Sequence, residues 1–322
     1  MVKLIFGGGP LTDKGNFKTP ELRAQVLDVL LDHDVKNIDT ARLYNGSEEA
    51  IGKLEKRAQF TIDTKLVGGF DPGNVSKDQV IKDAAHSLER VGIDQFDILF
   101  IHAPDPTIPI EDTLAGINEI HKKGIFRRFG LSNFSAEQVR QVHTICTEKG
   151  YVLPTMYQGN YSPIARHLET LLFPTLKELA IGFYAYSPIA GGFLTKTPAD
   201  LDAGAGRFNA AAIGGLYSAL YDSPAMRDAL GTWNEIAAAE GVGNAELAYR
   251  WVAWHSGITE SWVGGEDNGI IFGASRVGQI GETVGWIRKG KLSGEAVERA
   301  QGVWESVRES APVDNYHRHQ KL

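Results

Sequence analysis

Short apolar runs alternate along this chain with longer stretches in which apolar residues return every three or four positions, the pattern of strands interleaved with amphipathic helices. Leu4–Phe6 is a strand candidate that ends at glycines, and Pro20 to His33 then carries Leu22, Val26, Leu27, Leu30 and Leu31 at helical spacing. Thr19 suits its cap and Pro20 its first turn. The alternation continues with a strand at Val35–Ile38, a helix from Ser47 to about Arg57, a strand at Phe60–Thr64 and a helix from Ser76 to Val91. Further on come Phe96–Ile101, a helix over Glu111–Lys123, Phe126–Leu131, a helix from Ser135 to about Gly150, Thr155–Gln158, a helix over His167–Leu179, and Phe183–Tyr186. Between Ser187 and Ala225 the rhythm stops in favour of Gly, Ala and other small residues, the mark of a long irregular loop. Helical patterns resume at Ala225–Glu240 and Ala245–Trp254, Ile270–Phe272 supplies an eighth strand, and helices follow at about Val277–Ile287 and Ser293–Glu309.

Eight strands alternating with helices, without a linker or repeat, predict an α/β protein: a (β/α)8 TIM barrel, single domain, spanning residues 1–322. A long loop after strand seven (187–225) and a C-terminal helical extension with a tail (290–322) complete it. A doubly wound sheet would carry G-x-G-x-x-G after its first strand, and Gly7-Gly8-Gly9-Pro10 does not open a helix in that way.

Composition narrows the class. At 43% hydrophobic and 23% charged residues the 322-residue chain can bury a sizeable core. Its 36 glycines exceed the usual share, which points to tight turns or to backbone brought close to a ligand. A formal charge of -7 with no basic block disfavours nucleic acid and anionic membrane as partners. Cys146 is the only cysteine, so no intramolecular disulfide and no cysteine cage for zinc is expected. With no signal-like or spanning apolar run, the expected location is cytoplasmic.

In a barrel of this kind the chemistry belongs at the C-terminal ends of the strands. Strand two ends at Asp39, strand three at Lys65 and strand four at His102, each polar residue closing an apolar stretch. Each alone has a bland explanation, as a turn former, a solvated cation or a structural histidine; converging on one mouth they read differently. Tyr44, five residues after Asp39, lies on the loop that can return a phenol to that mouth. A nearby ammonium would lower the phenol pKa from about 10, and an aspartate would hold that ammonium charged. A histidine beside them could orient a carbonyl oxygen or relay the proton. Such a set makes an acid for carbonyl reduction, with the hydride left to a cofactor. A metal-dependent barrel hydrolase is disfavoured, since a His-x-His near strand one is missing and that strand ends in glycines; metal ligands are not expected.

The stretch Asn37-Ile38-Asp39-Thr40-Ala41-Arg42-Leu43-Tyr44, the Lys65 and His102 strand ends, Gly130-Leu131-Ser132-Asn133-Phe134 and Tyr157-Gln158 together resemble the aldo-keto reductases. Phe183 to Pro188, Ala190-Gly191-Gly192, Gly206-Arg207-Phe208 and Asn315-Tyr316 most resemble the aflatoxin-aldehyde reductase branch, and the likeness covers nearly the whole chain. The resemblance implies an NADP-dependent oxidoreductase that reduces a small-molecule aldehyde or ketone with NADPH. Tyr44 is then the general acid, Lys65 its pKa modulator, Asp39 the partner of Lys65, and His102 the group that orients substrate. Cofactor contacts implied by similarity are Gly7, Gly8, Asp39, Ser132, Asn133, Gln158, Tyr186 and Ser187, with Ile189, Gly191, Leu194 and Arg207 in the loop over the pyrophosphate. Gly273, Ala274, Ser275, Arg276, Gln279, Glu282 and Thr283 make the second phosphate and adenine region, where Arg276 can fork a 2'-phosphate. Many relatives carry Lys-Ser at Gly273-Ala274 and Asn at Thr283, so one cation and one adenine contact differ here. Substrate walls are expected from Phe6 or Gly9, Phe70, Asn160, Tyr161, Tyr217 or Tyr221, and the tail Tyr316-His317-Arg318, with Arg318 able to clamp a carboxylate. The same family contains the voltage-gated potassium-channel β subunits, so an NADPH-binding regulatory module with slow turnover is the alternative. The resemblance also leaves a homodimer open.

Overall fold

The computed structural model describes residues 2–204, 206–209, 215–260 and 262–319, without the side chains of the last two. Its strands are β1 (Lys3–Gly7), β2 (Asn37–Asp39), β3 (Thr61–Leu66), β4 (Phe96–Ile101), β5 (Phe126–Ser132), β6 (Pro154–Asn160), β7 (Gly182–Tyr186) and β8 (Gly269–Phe272). They run parallel around a closed barrel in sequence order, sealed where Lys3 to Phe6 pair with Gly269 to Phe272. With the helices between them this is the (β/α)8 TIM barrel expected from the alternation.

Strand side chains alternate between the barrel axis and the helix layer. On β3, Thr64 faces outward and donates to the buried Glu48 at 2.7 Å, whereas Asp63 and Lys65 face the axis. Ile5, Ile98, Phe100, Met156, Tyr184 and Ile271 pack together inside the barrel, and a larger cluster including Ile38, Leu99, Leu131, Tyr157 and Phe183 fills the layer between sheet and helices. Gly130 serves the inner packing, because a Cβ there would run into the Phe100 ring.

Local chemistry sets the helix ends. Thr19 accepts from the Leu22 N–H and opens Pro20–Asp32, while Ser135 and Gln138 form a reciprocal capping box at the head of Ala136–Lys149. Two expected helices are shorter than their periodicity suggests. The one at Ser47 ends at Gly52 and gives way to a tight turn over Glu55–Gln59. His167–Leu179 divides into Leu168–Leu171 and Phe173–Glu178, since Pro174 has no N–H to continue the first helix and its ring would meet the carbonyl one turn back.

The described residues after β7 hold more regular structure than the composition of this segment suggests. It contains short helical turns at Ala190–Thr195, Pro198–Asp202, Gly206–Phe208 and Leu216–Tyr221. Thr197 and Asp200 cap one of them reciprocally, and Phe193 packs against Phe208 and Tyr221 at 5.7 and 5.9 Å between ring centres. At the other end of the chain, Gly294–Val307 is capped by Ser293, and residues 314–317 return to the barrel mouth.

Candidate active site

Lys65 stands at the centre of the mouth. Its ammonium lies 2.6 Å from Asp39 Oδ2 and donates to the Thr40 carbonyl at 2.8 Å, with both charged side chains almost fully enclosed. The second Asp39 oxygen accepts from Gln158 Nε2 at 2.9 Å. Tyr44 reaches this pair from the turn after β2, a turn closed by the Tyr44 N–H on the Ala41 carbonyl and the Ser47 N–H on the Tyr44 carbonyl. The Lys65 Nζ is 5.2 Å from the centre of the Tyr44 ring, and the His102 ring meets Tyr44 edge-on at 5.8 Å. All four residues singled out at the strand ends and the following loop therefore converge.

Burial dominates the protonation behaviour. In place of the lowered phenol pKa expected from the sequence, Tyr44 lies above its ordinary value because enclosure disfavours the phenolate more than the Lys65 charge favours it. Burial alone would depress Lys65, but the charge of Asp39, followed by Tyr44, outweighs it and raises the ammonium pKa. Burial, with the Lys65 charge adding to it, holds His102 well below the usual histidine value, so its imidazole is neutral near pH 7. The site thus contains a neutral phenol, a charged ammonium and a neutral imidazole.

Around the rim, Asn133 adopts a left-handed conformation with φ of 61° at the end of β5, a geometry asparagine tolerates better than most residues. Its Nδ2 donates to the His102 carbonyl at 2.8 Å and to Ser132 Oγ at 3.2 Å, while its Oδ1 accepts from the Tyr186 hydroxyl at 2.9 Å. Gly7 ends β1 in register with Asp39, and the Gly8 N–H donates to the Asp39 carbonyl at 2.7 Å. Ser187 also has a positive φ, of 55°, and accepts from the Ala190 N–H. Ile189 is half-buried and Leu194 fully buried. Arg207 donates to the Tyr217 hydroxyl at 3.1 Å and lies over its ring, and that ring covers Gly191 where any Cβ would collide.

At the end of β8, Gly273 borders open space and Ala274 is buried. The Ser275 N–H and hydroxyl both donate to Gln279 Oε1 at 2.8 and 3.1 Å. Arg276 is exposed and forks onto Glu282 through two bonds of 2.8 and 2.7 Å.

Two expected contacts are corrected. Tyr161 follows Gln158 and Asn160 by odd spacing and so points away from the axis, into Phe173, Phe183 and Trp251. Its hydroxyl donates to Glu169 and accepts from the Gly257 N–H, which makes it a structural residue rather than a substrate wall. Thr283 is completely enclosed, so its hydroxyl cannot meet an adenine in this arrangement. Asn160 does face inward, where it bonds the Tyr221 hydroxyl at 3.3 Å. The side chain of Arg318 lies outside the described residues.

The Thr40 carbonyl as a Lys65 acceptor, the links of Asn133 to Tyr186 and His102, and the Arg207–Tyr217 pair are not legible in the sequence. Backbone acceptors have no residue signature, and the other contacts join distant segments. Among the described residues no His, Cys, Asp and Glu group could hold a metal, and no helix is long and apolar enough to cross a membrane.

Comparison with known proteins places the chain in a family. Residues 3–305 match the Aldo/keto reductase family. The chain is 39% identical over 320 residues to the oxidoreductase sirO of Leptosphaeria maculans, covering 96% of each protein. An aldo-keto reductase of Pseudocercospora fijiensis is 30% identical over 88% of this chain and 97% of its own. Human aflatoxin B1 aldehyde reductase member 4 is 31% identical over 90% of each. A closed parallel barrel with Asp39, Lys65, Tyr44 and His102 gathered at its mouth and a family match along nearly its whole length make this chain a member of the aldo/keto reductase family, an oxidoreductase of carbonyl chemistry.

Proposed function

We propose that the protein reduces an aldehyde or ketone to its alcohol with NADPH, and that Tyr44 donates the proton. The observation that carries this reading is the enclosed Tyr44–Lys65–Asp39 cluster, in which a neutral phenol lies against an ammonium locked to a carboxylate. As the substrate oxygen gains negative charge, Tyr44 hands it the proton, and Lys65 stabilises the phenolate left behind. Asp39 keeps Lys65 charged and in place. Neutral His102 orients the carbonyl oxygen by hydrogen bonding without competing as an acid.

The polar inventory at the rim suits a nicotinamide. Once the bonds among the described residues are counted, Ser132 keeps its hydroxyl hydrogen to give and Gln158 keeps Oε1 to receive, one donor and one acceptor for a carboxamide. Ser132, Asn133 and Gln158 would hold that group, with Tyr186 against the ring. Gly7, Gly8, Ser187, Ile189, Gly191, Leu194 and Arg207 would enclose the pyrophosphate, and Gly273 to Arg276 with Gln279 and Glu282 the 2'-phosphate end. When bound, the cofactor supplies the hydride.

The test is NADPH oxidation by the purified protein against a carbonyl panel. Tyr44→Phe is expected to lower turnover by about 10²- to 10⁴-fold while still binding NADPH; turnover unchanged by it overturns the proposed acid. Arg276→Ala is expected to weaken NADPH far more than NADH, and equal losses for both would remove Arg276 from the 2'-phosphate.

A further inference from the structure

Residues 314–317 are tied to the mouth along two routes, and both end at His102. On the first, Tyr316 donates to the Pro104 carbonyl at 2.9 Å and its ring meets Phe70 edge-on at 5.0 Å. Phe70 in turn meets the His102 ring edge-on at 4.9 Å. Gly69 makes this seat possible, since a Cβ there would collide with the Tyr316 hydroxyl and the Pro104 carbonyl. On the second route the Asn315 N–H donates to the Tyr186 hydroxyl at 3.3 Å, Tyr186 donates to Asn133 Oδ1, and Asn133 donates to the His102 carbonyl. Asp314 shapes the turn by accepting from the N–H groups of Tyr316 and His317 at 3.0 and 2.8 Å.

His102 needs such support. Functional imidazoles are commonly oriented by a hydrogen bond at the ring nitrogen that faces away from the chemistry. Here Nδ1 is buried and has no hydrogen-bond partner among the described residues. Packing must do what that bond usually does. We propose that Tyr316 and Asn315 are positioning residues for His102: the tail presses Phe70 against the imidazole and braces its backbone through Tyr186 and Asn133. The catalytic consequence rests on the reductase reading, whereas the physical link between tail and imidazole does not.

Two measurements test it separately. In steady-state reduction, Tyr316→Ala is expected to lower kcat by about tenfold or more, as a displaced catalytic group does. Tyr316→Phe keeps the ring and is expected to stay within a factor of about three, the loss of one hydrogen bond. In a His102→Ala background, Tyr316→Ala should cost less than about twofold, because the group it positions is gone. A loss confined to KM, or one equally large in the His102→Ala background, would make the tail a substrate wall and overturn the proposal. Should Tyr316→Ala fail to fold, Tyr316→Leu, which keeps apolar volume without a ring, must give the same result.

The second measurement needs no turnover. With histidine labelled at Cε1, the His102 resonance, identified by its absence in His102→Ala, is expected to stay constant across the ordinary histidine titration range in the parent. In Tyr316→Ala it should shift and begin to titrate as the ring loses its cover. A resonance unmoved by Tyr316→Ala overturns the link between tail and imidazole even for a protein that reduces no carbonyl on the panel, and that second failure belongs to the reductase reading alone.

Discussion

Asp39 and Asp63 are register partners on β2 and β3, and both are enclosed, yet their polar surroundings differ. Asp39 receives an ammonium at 2.6 Å and an amide N–H at 2.9 Å. Among the described residues Asp63 receives the Ile98 N–H at 3.1 Å on one oxygen and nothing on the other. Burial, reinforced by Asp97 and Asp39, pushes its carboxyl well above the ordinary value. Lys3 and Arg128 oppose that shift without overcoming it, and Arg128 is committed to Asp97 and Asp267 at 2.6 and 2.8 Å. A buried carboxylate stays charged where a cation or several hydrogen-bond donors are brought into contact with it; one N–H and a cation spent on another pair do not suffice for Asp63. The mouth accordingly holds an ion pair, whereas Asp63, its neighbour across the strands, keeps its proton to higher pH than an ordinary carboxyl.

The strongest way to break this contrast is Lys65→Met. It leaves Asp39 enclosed without its cation, so unfolding in urea is expected to show a loss of about 3–5 kcal/mol, and carbonyl reduction should fall to background. A variant as stable as its parent would mean that the Asp39 charge needs no partner.

Asp63→Asn probes the other member. Because the folded pKa of Asp63 is raised, its contribution to stability is fullest below the ordinary carboxylate value of 3.8 and is lost as pH rises toward the folded value. The asparagine variant has no such dependence. Its stability relative to the parent should therefore improve on going from acid to neutral pH, by up to about 1.4 kcal/mol per unit within that window. A difference independent of pH would show that Asp63 is charged in the fold.

His102→Gln sharpens the comparison over a narrower range. The folded pKa of His102 is depressed by burial and then by Lys65, so the unfolded chain takes up its proton first and stability falls as pH drops below 6.5. Thermal melting of the parent and the variant should diverge below that pH and coincide above it, apart from a constant offset. Parallel curves throughout would place a protonated imidazole next to Lys65.

Much of the site was readable because its signals are local. An apolar run that ends in Asp39, Lys65 or His102 marks a strand end, and barrel geometry then brings such ends to one mouth. Some further features were legible on the same terms. Two-residue alternation from Gln158 turns Tyr161 outward, and Pro174 announces the break in the helix that contains it. Others were not. The Thr40 carbonyl carries no residue signature, and the enclosure of Thr283 depends on how its helix packs.

By itself the sequence determined the order of strands and helices and which polar groups stand at the strand ends, since both follow from hydrophobic periodicity and turn chemistry. Tertiary structure alone decided the protonation of those groups. Its residue neighbours alone predict a lowered pKa for Tyr44, yet it is raised; Asp39 gains Lys65 while its register partner Asp63 does not. The cause is the same in each case: the free energy of a charge depends on how completely water is removed and on whether an opposite charge is in contact, and both quantities exist only once the barrel has closed.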